Sequence, residues 1–471
     1  MEQKSLEKNA LINVMLTSFM VTFMGSAVNL SLPSIGQEFG SSVVLTGWVV
    51  TSYLLASAAF LLPIGRLADI VGRRRVYLIG VVGFAIFTFL CTFSASMKMF
   101  IGMRVLQGVA SSMIFGTGMA ILTSVFPPER RGQALGWSVS VTYLGLSVGP
   151  VLGGVLNHQL GWRSIFYFTV LLGATAAAFT LTRLQGEWAG ARGERFDWGG
   201  SLLYMLGLTA LLLGMSTLTA SSRSAYLLAG GALLLAVFVV YELRVDQPVL
   251  QVGLLARNHA FAFSNLAAMI HYSATFAVSF LMSIYLQTVQ GYSSQLAGFI
   301  LLSQPLIMAV FSPVAGRLSD RVEPRLVASL GMGLTTLGLF CFVFLGMDTS
   351  PILLVANLAM MGLGFALFSS PNSNAVMGSV DRRTYGIASS ILGTMRLVGQ
   401  ATSMAIVTLL IGAYVGQQAF ASADTSLLLT GTRVAFIVFT GLGILGVWVS
   451  LVRGESPGSA IPKTSFPPGE E

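Results

Sequence analysis

A chain of 471 residues that is 54% hydrophobic and only 9% charged lies far from the roughly 25% charged composition of soluble domains, which excludes an ordinary soluble protein. Its 26 Lys and Arg against 18 Asp and Glu form no block suited to a nucleic-acid backbone, so no nucleic-acid partner is expected. Fifty-two glycines among long apolar runs fit helices packed closely in a bilayer, and the first reading is an all-α polytopic membrane protein.

The short charged start, Met1 to Asn9, leads into an apolar run too long for a signal-peptide core and without a small-residue cleavage site; it is expected to be kept as the first span. Apolar stretches long enough to cross a bilayer, about 20 residues each, follow near 10–32, 43–65, 76–96, 99–125, 133–156, 163–184, 199–219, 225–242, 260–286, 295–316, 326–347, 351–376, 385–415 and 432–452. Fourteen spans put both termini on one side. Under that topology Lys98, Arg163, Arg223 and Arg433 face outwards, Arg104 and Arg396 lie within the membrane, and the remaining twenty basic residues face the cytoplasm. The expected setting is the inner membrane of a bacterium, with cytoplasmic termini.

Two polar loops, 183–198 and 242–259, bracket spans seven and eight. The expected layout is a six-helix bundle over 1–185, a linker with two additional spans over 186–257, a second six-helix bundle over 258–455 and a cytoplasmic tail over 456–471. Gly65-Arg66-Leu67-Ala68-Asp69 after span two is echoed by Gly316-Arg317-Leu318-Ser319-Asp320, and paired six-helix halves mark one class of secondary transporter.

The loop after span two continues Ile70-Val71-Gly72-Arg73-Arg74-Arg75. Its glycines permit a tight turn, Asp69 can engage an arginine or a helix N-terminus, and the arginines are expected to hold the loop at the anionic inner leaflet. Span four carries Arg104 followed by Gln107-Gly108; a guanidinium keeps its proton and must find polar partners inside the bundle. Span five reads Gly145-x-x-x-Gly149-Pro150-x-x-Gly153-Gly154, a pattern used by close helix packing and by a bending hinge alike. Cys91 and Cys341 sit in apolar runs without metal-ligand spacing and are expected to be buried small hydrophobes; neither a metal nor a cofactor is implied.

Together these residues resemble the major facilitator superfamily, and within it the fourteen-span drug:proton antiporter branch. The Gly65 to Arg75 loop is similar to the superfamily's signature loop, Arg104-x-x-Gln107-Gly108 to its span-four motif, and Gly145 to Gly154 to the motif associated with antiporters. Pro127 to Gly132, Gly161-Trp162-Arg163, and Gly386-Ile387-Ala388-Ser389 with Arg396 fall where relatives carry similar sequence. The resemblance implies a cavity between two bundles, alternating access by rocking, and export of amphipathic compounds driven by protons. Under it, Gly65, Asp69, Gly72, Arg73, Arg74 and Asp320 belong to the gate, with Arg104 and the span-five glycines and proline serving the conformational change.

One position departs from the branch. Met24 stands where its first span usually holds an aspartate, although Asn29 and Pro33 are kept, and all eighteen acidic residues fall in loops, tails or the interfacial ends of spans. Proton relays are usually built from buried Asp, Glu or His, so the interior is expected to be neutral to positive and the substrate a neutral or anionic amphipath, or lipid-like. His271, the one histidine at membrane depth, is the candidate proton carrier, with a hydrogen-bonded packing role as its alternative. Asn29, Tyr53, Tyr143, Asn265, Tyr272, Gln304, Asn372, Asn374 and Arg396 are candidates to line the cavity, and each could equally join helices. The four lysines, at 4, 8, 98 and 463, occur in no phosphate-loop setting, which excludes a nucleotide engine in this chain. A non-coupled facilitator or lipid flippase on the same fold is the alternative; an intramembrane enzyme, which needs a buried catalytic cluster, is a remote one. A monomer is expected.

Overall fold

Inside a bilayer the backbone must satisfy its own hydrogen bonds, so apolar runs of this length become helices. A computed structural model of the chain describes residues 2–218, 223–319, 321–380, 385–416 and 424–453, and among them secondary structure is entirely helical. In chain order the helices are α1 (Glu2–Glu38), α2 (Val43–Val71), α3 (Arg73–Cys91), α4 (Met97–Val125), α5 (Pro128–Leu160), α6 (Arg163–Arg183), α7 (Trp198–Ser216), α8 (Ser224–Glu242), the short α9 (Val252–Arg257), α10 (His259–Thr275) and α11 (Val278–Ile284). A π-helical turn, Tyr285–Val289, prolongs α11, and α12 (Ser294–Ser319), α13 (Pro324–Phe342), α14 (Pro351–Gly378), α15 (Tyr385–Tyr414) and α16 (Thr425–Val452) complete the chain. Fourteen helical segments are long and apolar enough to cross a membrane, with α10, α11 and the π turn forming a single span.

Local chemistry sets the ends. Ser42, Ser96, Asp197 and Asn258 accept backbone N–H groups from the first turns of α2, α4, α7 and α10. Pro128, Pro324 and Pro351 stand at first-turn positions, where a missing N–H costs nothing. The ninth span breaks between α10 and α11, and the hydroxyl of Ser403 on α15 accepts the Ala277 N–H at 3.1 Å.

The first six helices pack as α1 on α5 and α6, α2 on α4, and α3 on α4 and α6; the last six repeat this with α10 on α15 and α16, α12 on α14, and α13 on α14 and α16. The two sets meet where α5 contacts α12, α2 contacts α15 and α1 contacts α11, a pattern that survives exchanging the sets. Between described residues, five hydrogen bonds cross this seam. Four lie toward the end opposite the termini: Ser283 to the Asn29 carbonyl (2.7 Å), Gln287 to the Leu30 carbonyl (3.2 Å), Ser294 to the Gly154 carbonyl (3.2 Å) and Thr51 with Thr408 (3.2 Å). The fifth, Tyr143 with Ser369 at 2.9 Å, is the deepest. The seam is therefore fastened away from the termini.

The inserted α7 and α8 pack on each other, and α7 lies against α2 and α15 together, its Tyr204 hydroxyl donating to the Ala58 carbonyl at 3.1 Å.

Three expectations change. Cys91 is buried, but Cys341 is exposed, because its stripe of α13, with Leu330, Leu337 and Phe340, faces outward, where lipid is as apolar as a protein core. The last span begins at Thr425, so Arg433 is no loop residue; it sits two turns inside α16 and its Nε donates to the Leu345 carbonyl at 2.6 Å. Arg453, counted among the cytoplasm-facing residues, is only 3% exposed, because it donates to the Asn372 side chain at 2.9 Å.

Candidate functional site: the seam and its gate loop

Where α10, α14 and α15 meet and Tyr143 reaches across from α5, four of the singled-out residues converge. The Arg396 guanidinium, on α15, lies 5.7 Å from the centre of the Tyr272 ring and donates to Ser373 at 2.7 Å, while its buried Nε has no partner. Tyr272 meets Phe365 edge-on at 5.4 Å, and the His271 ring lies tilted against Phe368 at 4.0 Å and Phe365 at 4.9 Å. The Nε2 of His271 is buried without a partner. Tyr143 reaches this group from the other half through Ser369. Among the described residues no carboxylate pairs with Arg396, so the cluster is aromatic, hydroxyl-rich and positive.

The other cavity candidates sit elsewhere. Tyr53 bonds Ser111 at 2.7 Å and lies 4.3 Å under the Arg104 guanidinium, inside the first half. Asn29 is in the seam, its side-chain oxygen buried and unpartnered. Asn265 donates to its own helix at Phe261, and Asn372 donates to the Ser264 carbonyl at 3.1 Å while accepting Arg453. Asn374 is exposed and bonds Ser319; Gln304 offers its backbone carbonyl to the close approach of Gly362. Sequence reasoning did not single out Ser369, Ser373, Phe365, Phe368 or Arg453. The polar run Ser369 to Asn374 within span twelve was the available signal, whereas Arg453 carried none, since it follows the last apolar residue like any stop-transfer cation.

Arg104 is 1% exposed. Its Nε donates to the Val49 carbonyl at 2.9 Å, its NH1 meets Gln107, and Gln107 passes the chain on to Thr88. This network joins α2, α3 and α4 within one half.

The span-five glycines are contact points. A Cβ on Gly145 or Gly149 would strike Thr22 or Ser26 of α1, and one on Gly153 would lie 2.7 Å from the Ala27 Cβ. Gly154 faces across the seam instead: its Cβ would lie 2.6 Å from the Ser294 carbonyl, and Gly298 of α12 returns the approach onto the Pro150 carbonyl.

In the gate loop Asp69 pairs with Arg73 at 2.7 Å, and Arg73 reaches the Ala120 carbonyl (3.1 Å) and Ser124 (2.6 Å) at the end of α4. A Cβ added to Gly65 would meet nothing, although Gly116 of α4 comes close to its backbone: a Cβ there would lie 3.5 Å from the Gly65 α-carbon. The linker lies over this loop. The Trp188 carbonyl accepts the Arg73 N–H at 2.8 Å, the Ala191 N–H donates to the Asp69 carbonyl at 3.0 Å, and Glu187 accepts the Arg74 N–H at 2.8 Å. Glu194 pairs with Arg66. Gly72 has φ +128° and packs directly on the Glu187 carboxyl, so glycine is required on both counts. The expectation that the arginine cluster as a whole holds the leaflet is corrected: the side chain of Arg73 is taken by Asp69 and the end of α4, those of Arg66 and Arg74 by Glu194 and the Leu184 carbonyl, and Arg75 alone remains mostly exposed. Asp320, the counterpart in the second half, lies outside the described residues.

Fourteen spans arranged as two similarly packed sets of six, with a polar cluster between them, mark the fold of a membrane transporter. Residues 14–194 and 265–468 match the family model of the Major Facilitator Superfamily, and the chain belongs to that superfamily. It is 31% identical over 386 residues to riboflavin transporter RibZ of Clostridioides difficile, covering 82% of this chain and 84% of that protein. It is 30% identical over 401 residues to multidrug resistance protein Stp of Mycobacterium tuberculosis, covering 84% and 74%. The fold matches a bacterial homolog of the human lysosomal transporter Spinster, solved in an inward-facing, unoccupied conformation, with a TM-score of 0.70 at 13% identity over 95% of this chain and 97% of that one.

Proposed function

We propose that this transporter is an exporter of neutral or anionic amphipathic small molecules, working by alternating access in a bacterial inner membrane with both termini in the cytoplasm. The observation that carries the substrate reading is Arg396: a guanidinium at the seam with an unpartnered buried Nε and, among the described residues, no carboxylate to neutralise it. Such a group favours a ligand carboxylate or other acceptor and disfavours a permanent cation. The basic-residue asymmetry supports the orientation, and with it the fastened side of the seam is the outside. The described state then opens inward, and rocking about the contacts of α5 with α12 and α2 with α15 would expose the cluster outward. The names of RibZ and Stp, one a riboflavin transporter and one a multidrug resistance protein, agree with amphipathic cargo.

On this reading the chain comprises two bundles, 1–185 and 258–455, with the inserted pair between them and a tail from 456, and it works as a monomer. Proton coupling is assigned to His271, the titratable ring beside Arg396 at the seam. The test is transport by reconstituted protein of a panel of anionic, neutral and cationic compounds, with and without an imposed pH gradient. Anionic or neutral compounds should move and respond to the gradient, and His271→Ala should abolish that response while leaving downhill exchange. Transport of cations alone would overturn the substrate reading; gradient-driven transport by His271→Ala would overturn the coupling residue. Movement of the same compounds without any response to pH would favour a facilitator or lipid flippase.

A further inference from the structure

Two buried carboxyls outside the transport seam face one another at the terminal end of the inserted pair. Asp197, 9% exposed, caps α7: its Oδ1 accepts the Gly200 N–H at 2.9 Å and the Tyr241 hydroxyl at 3.2 Å. Glu242, 3% exposed, ends α8: its Oε2 accepts the Leu250 N–H at 2.9 Å. The remaining oxygens, Asp197 Oδ2 and Glu242 Oε1, are both buried without a donor. Both crowd the α-carbon of Gly200, where a single added Cβ would strike each of them, so the two bare oxygens converge over one glycine. Two ionised carboxylates are acceptors only and repel at such range, whereas one shared proton satisfies both oxygens.

No cation takes the place of that proton among the described residues. Neither carboxyl forms an ion pair. From α8 the facing titratable group is the Tyr241 hydroxyl. On the connecting segments Arg195, Arg244 and Asp246 are not buried and bond to neither acid. From the helices behind α7, Arg66 is engaged by Glu194 and Arg396 by Ser373.

We propose that Asp197 and Glu242 form a one-proton site, sharing a single proton across the end of the inserted pair, and that its loss releases the segments before α7 and after α8 from one another. The position gives this release a reach beyond the pair. The segment before α7 holds the gate loop through Glu187, Trp188 and Ala191. The segment after α8 runs to Asn258, which donates to the Ser379 carbonyl at the end of α14 at 2.6 Å. The proton thus closes a strap that runs from the first half's gate loop to the second half.

The experiment uses the purified full-length chain in nanodiscs, with Glu242→Gln and Asp197→Asn as variants that keep the shape and supply an amide donor in place of the proton. Infrared difference spectra of the wild type should show a protonated carboxyl C=O band at neutral pH that vanishes on alkalinisation, and each variant should lack it. Hydrogen exchange of 185–200 and 243–252, corrected for intrinsic rates, should accelerate at least tenfold in the wild type as the band vanishes, and the Glu242→Gln protein should stay slow across the same range. Absence of the band in the wild type, its persistence in both variants, or exchange that ignores its loss would each overturn the proposal. None of these readouts depends on substrate, so the proposal stands or falls separately from the exporter reading.

Discussion

Two arginines lie among the spans in different circumstances. Arg104 reaches a carbonyl of α2 and, through Gln107, a hydroxyl of α3, with the Tyr53 ring beneath it; the helices it ties all belong to one half. Arg396 has one protein hydrogen bond, a distant ring face and a buried Nε without a partner, and it stands where the halves meet. A cation inside a membrane protein has to be solvated by something. Where the protein supplies the solvation in full the residue is structural, and where it stops short the shortfall is an affinity for something that arrives.

That contrast predicts opposite phenotypes. Arg104→Ala leaves the Val49 carbonyl and Gln107 without their partner and opens a cavity in a packed half. It should cost about 2–4 kcal/mol of stability, read as a fall in thermal unfolding temperature and folded yield, with normal transport per folded molecule. The same comparison holds for glycines of one helix. Gly149→Ala, pressed on Ser26 within a half, should cost roughly 1–3 kcal/mol as overpacking, whereas Gly154→Ala, pressed on Ser294 across the seam, should spare stability and slow turnover by hindering the closed contact. Gly136, with nothing near its α-carbon, is the control and should accept alanine silently. If Gly149→Ala and Gly154→Ala behaved alike, the distinction between contacts inside a half and contacts across the seam would fail.

Arg396→Met removes the open cation while preserving the apolar stem. Transport of anionic compounds should fall about tenfold or more, the equivalent of about 1.4 kcal/mol for one charge-assisted contact. Neutral compounds and unfolding temperature should change little. Loss of stability without loss of anion transport would make Arg396 a second Arg104.

The number of spans and the repeat were legible in the sequence because both follow from run length and spacing, which the bilayer constrains directly. Depth was legible too: the acidic residues among the described ones do lie at helix ends and in loops. Burial was not. Asp197 and Glu242 are hidden and Glu7 is 5% exposed beside Arg130, because a residue at a helix end can be covered by a linker whose path no periodicity reveals. The gate loop shows the same limit. Its glycines and charges were readable, but the partners of Arg66 and Arg74, and the carbonyl that accepts the Arg73 N–H, come from residues 184–194, over a hundred positions away. For the central cluster, Arg396, His271, Tyr272 and Tyr143 could be chosen as polar groups at depth; that they converge while Tyr53, Asn372 and Asn374 do not depends on which face of each helix meets the seam, and helices apolar all round carry little sign of that.

The smallest effect belongs to Tyr143→Phe. The Tyr143 hydroxyl makes the deepest hydrogen bond across the seam, to Ser369 at 2.9 Å, and interhelical hydrogen bonds in membranes are worth about 0.6 kcal/mol on average. If the bond only holds the halves together, its loss should shift the balance between inward-open and outward-open states by about threefold, toward whichever state lacks it, with substrate affinity unchanged. If Tyr143 instead turns its hydroxyl to a substrate beside Arg396, affinity for acceptor-bearing compounds should drop while the balance of states stays put. Distance measurements between labels on α5 and α14, made beside binding isotherms for wild type and Tyr143→Phe, separate the two. The first outcome places this tyrosine with Arg104 as part of the frame, and the second places it with Arg396 as part of the site, so a threefold effect decides how far the site extends into the first half.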